Sequence, residues 1–239
     1  MLFRSWANEP WRRRMNGGND EMLQPQRYGD ETEWENHLSY LIKFFSHKNY
    51  IKINNKPVFC IYRISTIENY KNRFFYWNNS IKKYGFDGIF IIMTLGVWPR
   101  NEAYPILPHV DAVFDFYPNF LRHPDTIEWE ENNIAFCQME KAYKKMLNDP
   151  IIHKNHYAGI MVGFDNTPRN PKKGCVFLNN TPELFEKAML KQYQKSNSDF
   201  FFVNAWNEWG EQACLEPDEL YGYKYIESLK KSLRKIKYA

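Results

Sequence analysis

Short, wholly apolar runs alternate along this chain with longer stretches that are apolar on one side only. Val58-Phe59-Cys60-Ile61-Tyr62, Gly88-Ile89-Phe90-Ile91-Ile92-Met93, residues 111–117 (DAVFDFY), Tyr157–Phe164 and Phe200-Phe201-Phe202-Val203 are the apolar runs. Each has strand length and no wet face, the pattern of a strand covered on both sides. Residues 2–9 (LFRSWANE) read as a shorter strand ending in polar residues, and residues 10–29 as a loop turning at Gly17-Gly18. A helix is predicted over about 31–46, with Leu38, Leu41, Ile42 and Phe45 on one face. A second covers 66–84, with Ile67, Tyr70, Phe74, Trp77 and Ile81 inward and Gly85 ending it. The polar stretch 125–147 also reads as helical. Thr181-Pro182-Glu183 opens a helix with an N-cap residue followed by proline, and 219–236 forms a last amphipathic helix.

Apolar strands alternating with helices predict a parallel α/β sheet. Polar or aromatic residues follow each run at the same edge: Trp6-Ala7-Asn8-Glu9, Tyr62-Arg63, Thr94, Phe116-Tyr117, Asp165-Asn166 and Asn207-Glu208. A (β/α)8 TIM barrel builds its site from several strand ends at that face. A doubly wound sheet would use the same edge, but no strand here runs into a glycine-rich phosphate loop. The expected fold is therefore a (β/α)8 TIM-barrel type within one catalytic domain, 1–239. With six strands in view, it is expected to lack its first one or two βα units.

Composition narrows the partners. Net charge is +4, and the basic residues are scattered apart from Arg12-Arg13-Arg14. No nucleic-acid motif or basic stripe is present, so no nucleic-acid partner is expected. Aromatic residues make 18% of the chain; such rings serve cores and also suit the apolar faces of sugars. The four cysteines, Cys60, Cys137, Cys175 and Cys214, have neither metal-ligand nor disulfide-framework spacing. That spacing points to a reducing, cytoplasmic setting with no metal and no cofactor. No run approaches a membrane span, so no integral membrane segment is expected.

The densest chemistry lies at residues 200–218, where the last apolar run opens into Asn204, Trp206, Asn207, Glu208, Trp209, Glu211, Gln212, Glu216 and Asp218. Two carboxylates three positions apart, flanked by indoles and amides at a strand end, form a candidate catalytic lip. One acid kept protonated by burial and one kept ionised by an amide would divide acid and base work between them. Elsewhere, Asn8 and Glu9 either contact sugar hydroxyls or cap their loop. Trp6 and Trp11 either stack on sugars or, for Trp6 above all, pack in the core. Asp165, Asn166 and Arg169 either touch ligand or include an Asp–Arg pair within their own loop. Tyr62 and Tyr117 are weaker candidates. His109, His123, His153 and His156 form no ligand set and read as surface or loop residues.

Four separated segments, WANEPWRRRMNGG (6–18), NNKPVFCIYR (54–63), GFDNTPR (163–169) and NAWNEWGEQACLEPD (204–218), together resemble the WbsX-type family of bacterial polysaccharide biosynthesis. That family comprises glycosyltransferases and glycoside hydrolase family 99-like domains. The resemblance implies a (β/α)8 barrel, and an N-terminally incomplete one, since family members carry further chain ahead of the WANE strand. It implies an oligosaccharide or polysaccharide substrate and action on glycosidic bonds in lipopolysaccharide O-antigen or capsule synthesis. Family 99 enzymes are retaining endo-α-mannosidases whose glutamates sit in Asn-Glu-Trp-x-Glu, matched here by Asn207-Glu208-Trp209-Gly210-Glu211. By that match Glu208 is the base at the sugar 2-hydroxyl and Glu211 the general acid, then base. Trp6, Asn8, Glu9, Trp11, Tyr62, Tyr117, Asp165, Asn166, Arg169, Asn204, Trp206 and Asn207 are the substrate-binding candidates. The alternative expectation is a non-catalytic, carbohydrate-binding remnant of such a barrel.

Overall fold

The computed structural model describes residues 6, 9–12, 21–96, 99–120, 122–196, 198 and 200–237. The described residues of Met1–Arg12 and Met22–Val113 form one compact unit, and those of Arg13–Glu21 and Phe114–Ala239 a second. The architecture is α/β, with parallel strand pairs in both units.

The first unit holds β1 (Trp11–Arg12), β2 (Met22–Gln24), α1 (Glu31–Phe45), β3 (Lys52–Ile53), β4 (Lys56–Ile61), α2 (Tyr70–Ser80) and β5 (Phe90–Leu95). Helix α1 starts where the Asp30 carboxylate accepts from the Thr32 and Glu33 amides, at 3.0 and 3.2 Å, satisfying first-turn donors. It buries Trp34, Leu38 and Phe45. Helix α2 buries Phe74 and Trp77 and runs through a 3-10 turn to Gly85, whose φ of 85° is left-handed backbone that favours glycine. β4 and β5 pair in parallel from Val58↔Phe90 to Ile61↔Met93, and every residue of β5 is buried. Trp6 joins β4 through a parallel bridge, donating to Cys60 O at 2.7 Å and accepting from Tyr62 N at 3.0 Å.

The chain passes into the second unit within β6 (Ala112–Asp115) and continues through β7 (Ile127–Glu131), β8 (Ile134–Gln138), α3 (Met139–Asn148), β9 (His156–Tyr157), β10 (Gly159–Met161) and β11 (Cys175–Leu178). It ends with α4 (Pro182–Ser196), β12 (Phe202–Asn204), β13 (Asn207–Glu208), β14 (Ala213–Cys214) and α5 (Lys224–Lys237). The expected cap is present, with Thr181 Oγ1 accepting from Leu184 N at 3.2 Å and Pro182 leading α4. β10 and β12 pair in parallel, and the Gln192 amide of α4 donates to Gly159 O at 3.1 Å. The core collects Phe164, Phe177, Phe185, Met161, Met189 and their neighbours.

Three expectations are corrected. Residues 125–147 are not one helix: β7 and β8 form an antiparallel hairpin, and only α3 is helical. The turn residues Asn132 and Asn133 both have left-handed φ, 49° and 62°, the backbone of a tight hairpin turn. β11, absent from the predicted strands, pairs in parallel with β8. His156 is buried rather than at the surface, its Nε2 lying 3.1 Å from Asp115 Oδ1 while its Nδ1 accepts from Ile152 N.

Candidate active site

Both candidate glutamates lie in the second unit, where β10 and β12 end side by side. The registers Gly159↔Phe202, Ile160↔Val203 and Met161↔Asn204 bring the two strands to their C-terminal ends together. Val162 N then donates to Asn204 O at 2.9 Å, prolonging the ladder by one step. Beyond this point each strand gives rise to a loop, and the two loops are tied to each other. Asp165 N donates to Glu211 O at 2.7 Å. Gly163 lies where the loops pass closest: a Cβ there would meet Gln212 O at 2.9 Å and Asn180 Nδ2 at 2.7 Å. A side chain at 163 would push the Glu211 segment away, so this approach requires glycine.

The loop after β10 is pinned along its length. Phe177 N donates to Phe164 O at 2.9 Å, and Cys175 N to Asn166 Oδ1 at 2.7 Å. Asp165 Oδ1 accepts from both Thr167 N and Thr167 Oγ1, an Asx turn that commits this carboxylate to its own loop. Arg169 does not pair with Asp165. Its Nη1 reaches Glu211 Oε1 at 2.5 Å, and its stem lies over Gly210, where a Cβ would come within 3.1 Å of Cδ.

After β12 the chain makes a small hairpin, with Asn207↔Cys214 and Glu208↔Ala213 as cross-strand partners. A single 3-10 turn, Trp209–Glu211, closes it through Gln212, whose φ is +49°. The two glutamates thereby receive different surroundings. Glu208 is exposed, whereas the Glu211 side chain is 24% exposed. Burial raises the Glu211 pKa above the ordinary carboxyl value; the Arg169 guanidinium opposes this and the Glu208 charge adds to it. Trp206 and Trp209 present exposed indoles beside them, and Trp209 Nε1 donates to Glu216 Oε2 at 2.7 Å. Paired carboxyls in unequal environments can divide acid and base roles.

Other predicted residues fall elsewhere. Asn204, joined to Ala205 by a cis peptide bond, is buried, and its amide donates to Tyr117 O at 2.8 Å. The Tyr117 ring is buried too, with its hydroxyl donating to Asp149 at 3.0 Å. Asn166 spends its side-chain oxygen on Cys175 N.

Trp6, Glu9, Trp11 and Tyr62 belong to the first unit, and Asn8 lies outside the described residues. The Trp6 ring packs against Tyr28, His37, Phe59 and Trp77. Tyr62 is half-buried and its carbonyl accepts from Thr94 Oγ1. Glu9 faces Arg63 at 3.6 Å, and Arg63 also pairs with Glu102 at 2.8 Å. Trp11 is 73% exposed. With Glu9, Gln24, Pro25 and Gln26 it lines a cavity of about 340 Å³, an indole flanked by amides and a carboxylate. Sequence reasoning gave no role to Gln24, Gln26, Gly163 or Gly210, though Gly163 and Gly210 lie within the segments GFDNTPR and NAWNEWGEQACLEPD. Among the described residues no group of His, Cys, Asp and Glu side chains gathers as a metal site, and no helix is long and apolar enough to cross a membrane.

A family model described as Glycosyltransferase WbsX matches residues 2–229. Two curated relatives, each named "Uncharacterized protein WxcX" and from two Xanthomonas campestris pv. campestris strains, are 25% identical over 95% of this chain. The chain spans 34% of the length of each. Among solved structures, a "Glycoside hydrolase-like protein" superposes with a TM-score of 0.63 at 16% identity, covering 86% of this chain and 62% of that one. A GH99 endo-α-mannosidase from Bacteroides thetaiotaomicron, in complex with bis-tris-propane, gives 0.54 at 14% identity, covering 90% and 69%. At such identities these likenesses show a shared fold.

Proposed function

The chain belongs to the WbsX glycosyltransferase family, and on that premise we propose that it is a carbohydrate-active enzyme of bacterial cell-surface polysaccharide synthesis, working on glycosidic bonds with Glu208 and Glu211. The observation that carries the reading is the β13–β14 hairpin, which sets an exposed carboxylate beside a half-buried carboxyl of raised pKa. The endo-α-mannosidases that share the fold support a (β/α)8 barrel as its architecture.

In this reading Glu208 takes the proton of the sugar 2-hydroxyl as that oxygen attacks C1. The C1–O bond to the leaving group breaks, and Glu211 delivers its proton to the leaving oxygen. A 1,2-anhydro sugar results, with no carboxylate bound covalently, unlike the usual retaining scheme. Water or an acceptor hydroxyl then attacks C1 and yields its proton to Glu211, while O2 recovers a proton from Glu208. Net configuration is retained, and the acceptor alone decides between hydrolysis and transfer. The exposed Trp206 and Trp209 offer apolar faces to sugar rings.

The alternative is a non-catalytic carbohydrate-binding protein. The Arg169–Glu211 ion pair favours it, because a cation on the acid opposes protonation. End-labelled α-mannoside oligosaccharides and the polysaccharide of the source bacterium, followed by mass spectrometry, separate the two. Turnover should fall about 10²–10⁴-fold in Glu208→Gln and in Glu211→Gln, the usual worth of an acid–base group. Wild-type binding without turnover, unchanged in both variants, would establish the binding protein instead.

A further inference from the structure

We propose that Arg169 is the positioning residue of this pair: its guanidinium, 2.5 Å from Glu211 Oε1, fixes where the Glu211 carboxyl points. The inference rests on the two-glutamate reading above and extends it to a residue of the neighbouring loop.

The geometry separates this role from that of an ordinary surface ion pair. The Arg169 loop has hydrogen bonds of its own that do not involve the Glu211 side chain. It is held by the Asx turn of Asp165 on Thr167, by Asn166 on Cys175 N, and by Arg169 N donating to Asn166 O at 3.0 Å. The guanidinium is therefore carried to Glu211 from a fixed base. Its stem crosses the hairpin over Gly210, the middle residue of the 3-10 turn, where the missing side chain leaves it room. The Glu211 backbone is tied to the same loop through Asp165 N. Backbone and carboxylate of Glu211 are thus both referred to one loop, and the carboxylate's aim follows from that loop's shape.

Among the described residues, the charges that act on Glu211 are those of Arg169 and Glu208. From its own hairpin comes Glu208, and Glu216 beyond it is engaged by Trp209 Nε1. From the loop after β10 come Arg169 and Asp165, the latter turned onto Thr167. Cys214 on the returning strand has its thiol raised to about 11, chiefly by burial, and stays neutral. Arg169 is the positive member of this set. It stabilises the carboxylate that Glu211 becomes on giving up its proton, and it weakens the same carboxylate as a base in the return step. It thereby trades one half-reaction against the other, which a purely structural pair would not do.

The test reads Glu211 directly. Proteins carrying ¹³C-labelled glutamate are titrated by NMR, with Glu211 assigned by its loss in Glu211→Gln. In Arg169→Gln the Glu211 midpoint should rise by roughly one pH unit, the lower end of what an adjacent cation does to a carboxyl; Arg169→Lys should recover most of the shift. Gly210→Ala, which crowds the stem and keeps the charge, should give an intermediate value. In kinetics, the alkaline limb of kcat/KM should move upward by the same amount in Arg169→Gln, with kcat falling more than KM changes. An unchanged midpoint in Arg169→Gln overturns the proposal, as does a Lys variant that behaves like Gln. Because the titration needs no turnover, a protein without activity would defeat the catalytic reading and leave this result standing or falling by itself. Equal melting temperatures of wild type and Arg169→Gln confirm that the reported change is local.

Discussion

In the first unit, Arg73 shows how a residue that looks solvent-facing in a helix can anchor a core. It is 3% exposed, and its guanidinium lies 4.6 Å from the Trp77 ring, 5.1 Å from Trp6 and 5.8 Å from Trp34. It donates to Tyr28 O and meets His37 Nδ1, both at 3.0 Å. Since Arg has only donors, His37 Nδ1 must accept, and that holds the imidazole neutral. Burial, then the Arg73 charge, lowers the His37 pKa to about 4. The unfolded histidine binds a proton near pH 6.5 and the folded one does not until about 4, so this group removes stability as pH falls between those values. His37→Gln, which keeps an acceptor oxygen and does not titrate, should lose less stability than wild type from pH 7 to 4.5, read as urea midpoints. Parallel losses would disprove the assignment. Phe74 and Trp77 were legible as core from their helical spacing, whereas Trp6 stood between the core and a sugar-stacking role. Arg73 and His156 were not legible, because Trp6 and Trp34 around the one and Asp115 beside the other lie on distant chain segments.

Among the elements, the β7–β8 hairpin is where local pattern misled. Glu128, Glu130, Glu131 and the Lys-rich segment of α3 make one polar stretch that reads as a helix. Yet β8 alternates half-buried and buried positions, and Trp129 stacks on Phe136 at 4.9 Å and 11° across the pair. Asn132-Asn133 was the available turn signal, since asparagine tolerates left-handed backbone better than most residues. The prediction follows from the φ of +62° at Asn133. Asn133→Gly should be neutral or stabilise by up to about 1 kcal/mol, while Asn133→Val, β-branched in a left-handed position, should cost about 1–2 kcal/mol. Thermal unfolding followed by circular dichroism distinguishes these. A valine variant as stable as the glycine variant would remove the hairpin turn as described. The catalytic hairpin, by contrast, was legible in composition though not in shape. Sequence placed Glu208 and Glu211 at a strand end, but which one is buried depends on the 3-10 turn and on a loop some forty positions upstream, at Asp165 to Arg169.

On the scale of the whole molecule, the order of strands and helices was readable because buried parallel strands are apolar throughout and the helices between them are not. Strand partners were less so: β11 pairs with β8 across α3, β9 and β10, a register that no local pattern encodes. The cysteines offer a test that spans both units. Cys60 lies in the first and Cys137, Cys175 and Cys214 in the second, and all are buried and free. Burial lifts the Cys60 thiol to about 12 and that of Cys214 to about 11. Cys137 and Cys175 lie 3.6 Å apart, sulfur to sulfur, where the thiol of Cys175 lowers the pKa of Cys137 and is itself raised. Thiolates do the reacting, and here they are both scarce and inaccessible. The folded protein at pH 8 should therefore release almost no thiol to a charged aromatic disulfide reagent, and all four in denaturant. Native reaction, where it occurs, should follow opening of the structure and accelerate with sub-denaturing urea. Cys137, whose pKa is lowered chiefly by the hydrogen bond with Cys175, should react ahead of the other three where a local opening exposes it and leaves that contact in place. Identification of the modified peptides by mass spectrometry checks the order, and rapid labelling of Cys60 in the folded state would contradict its buried place within β4.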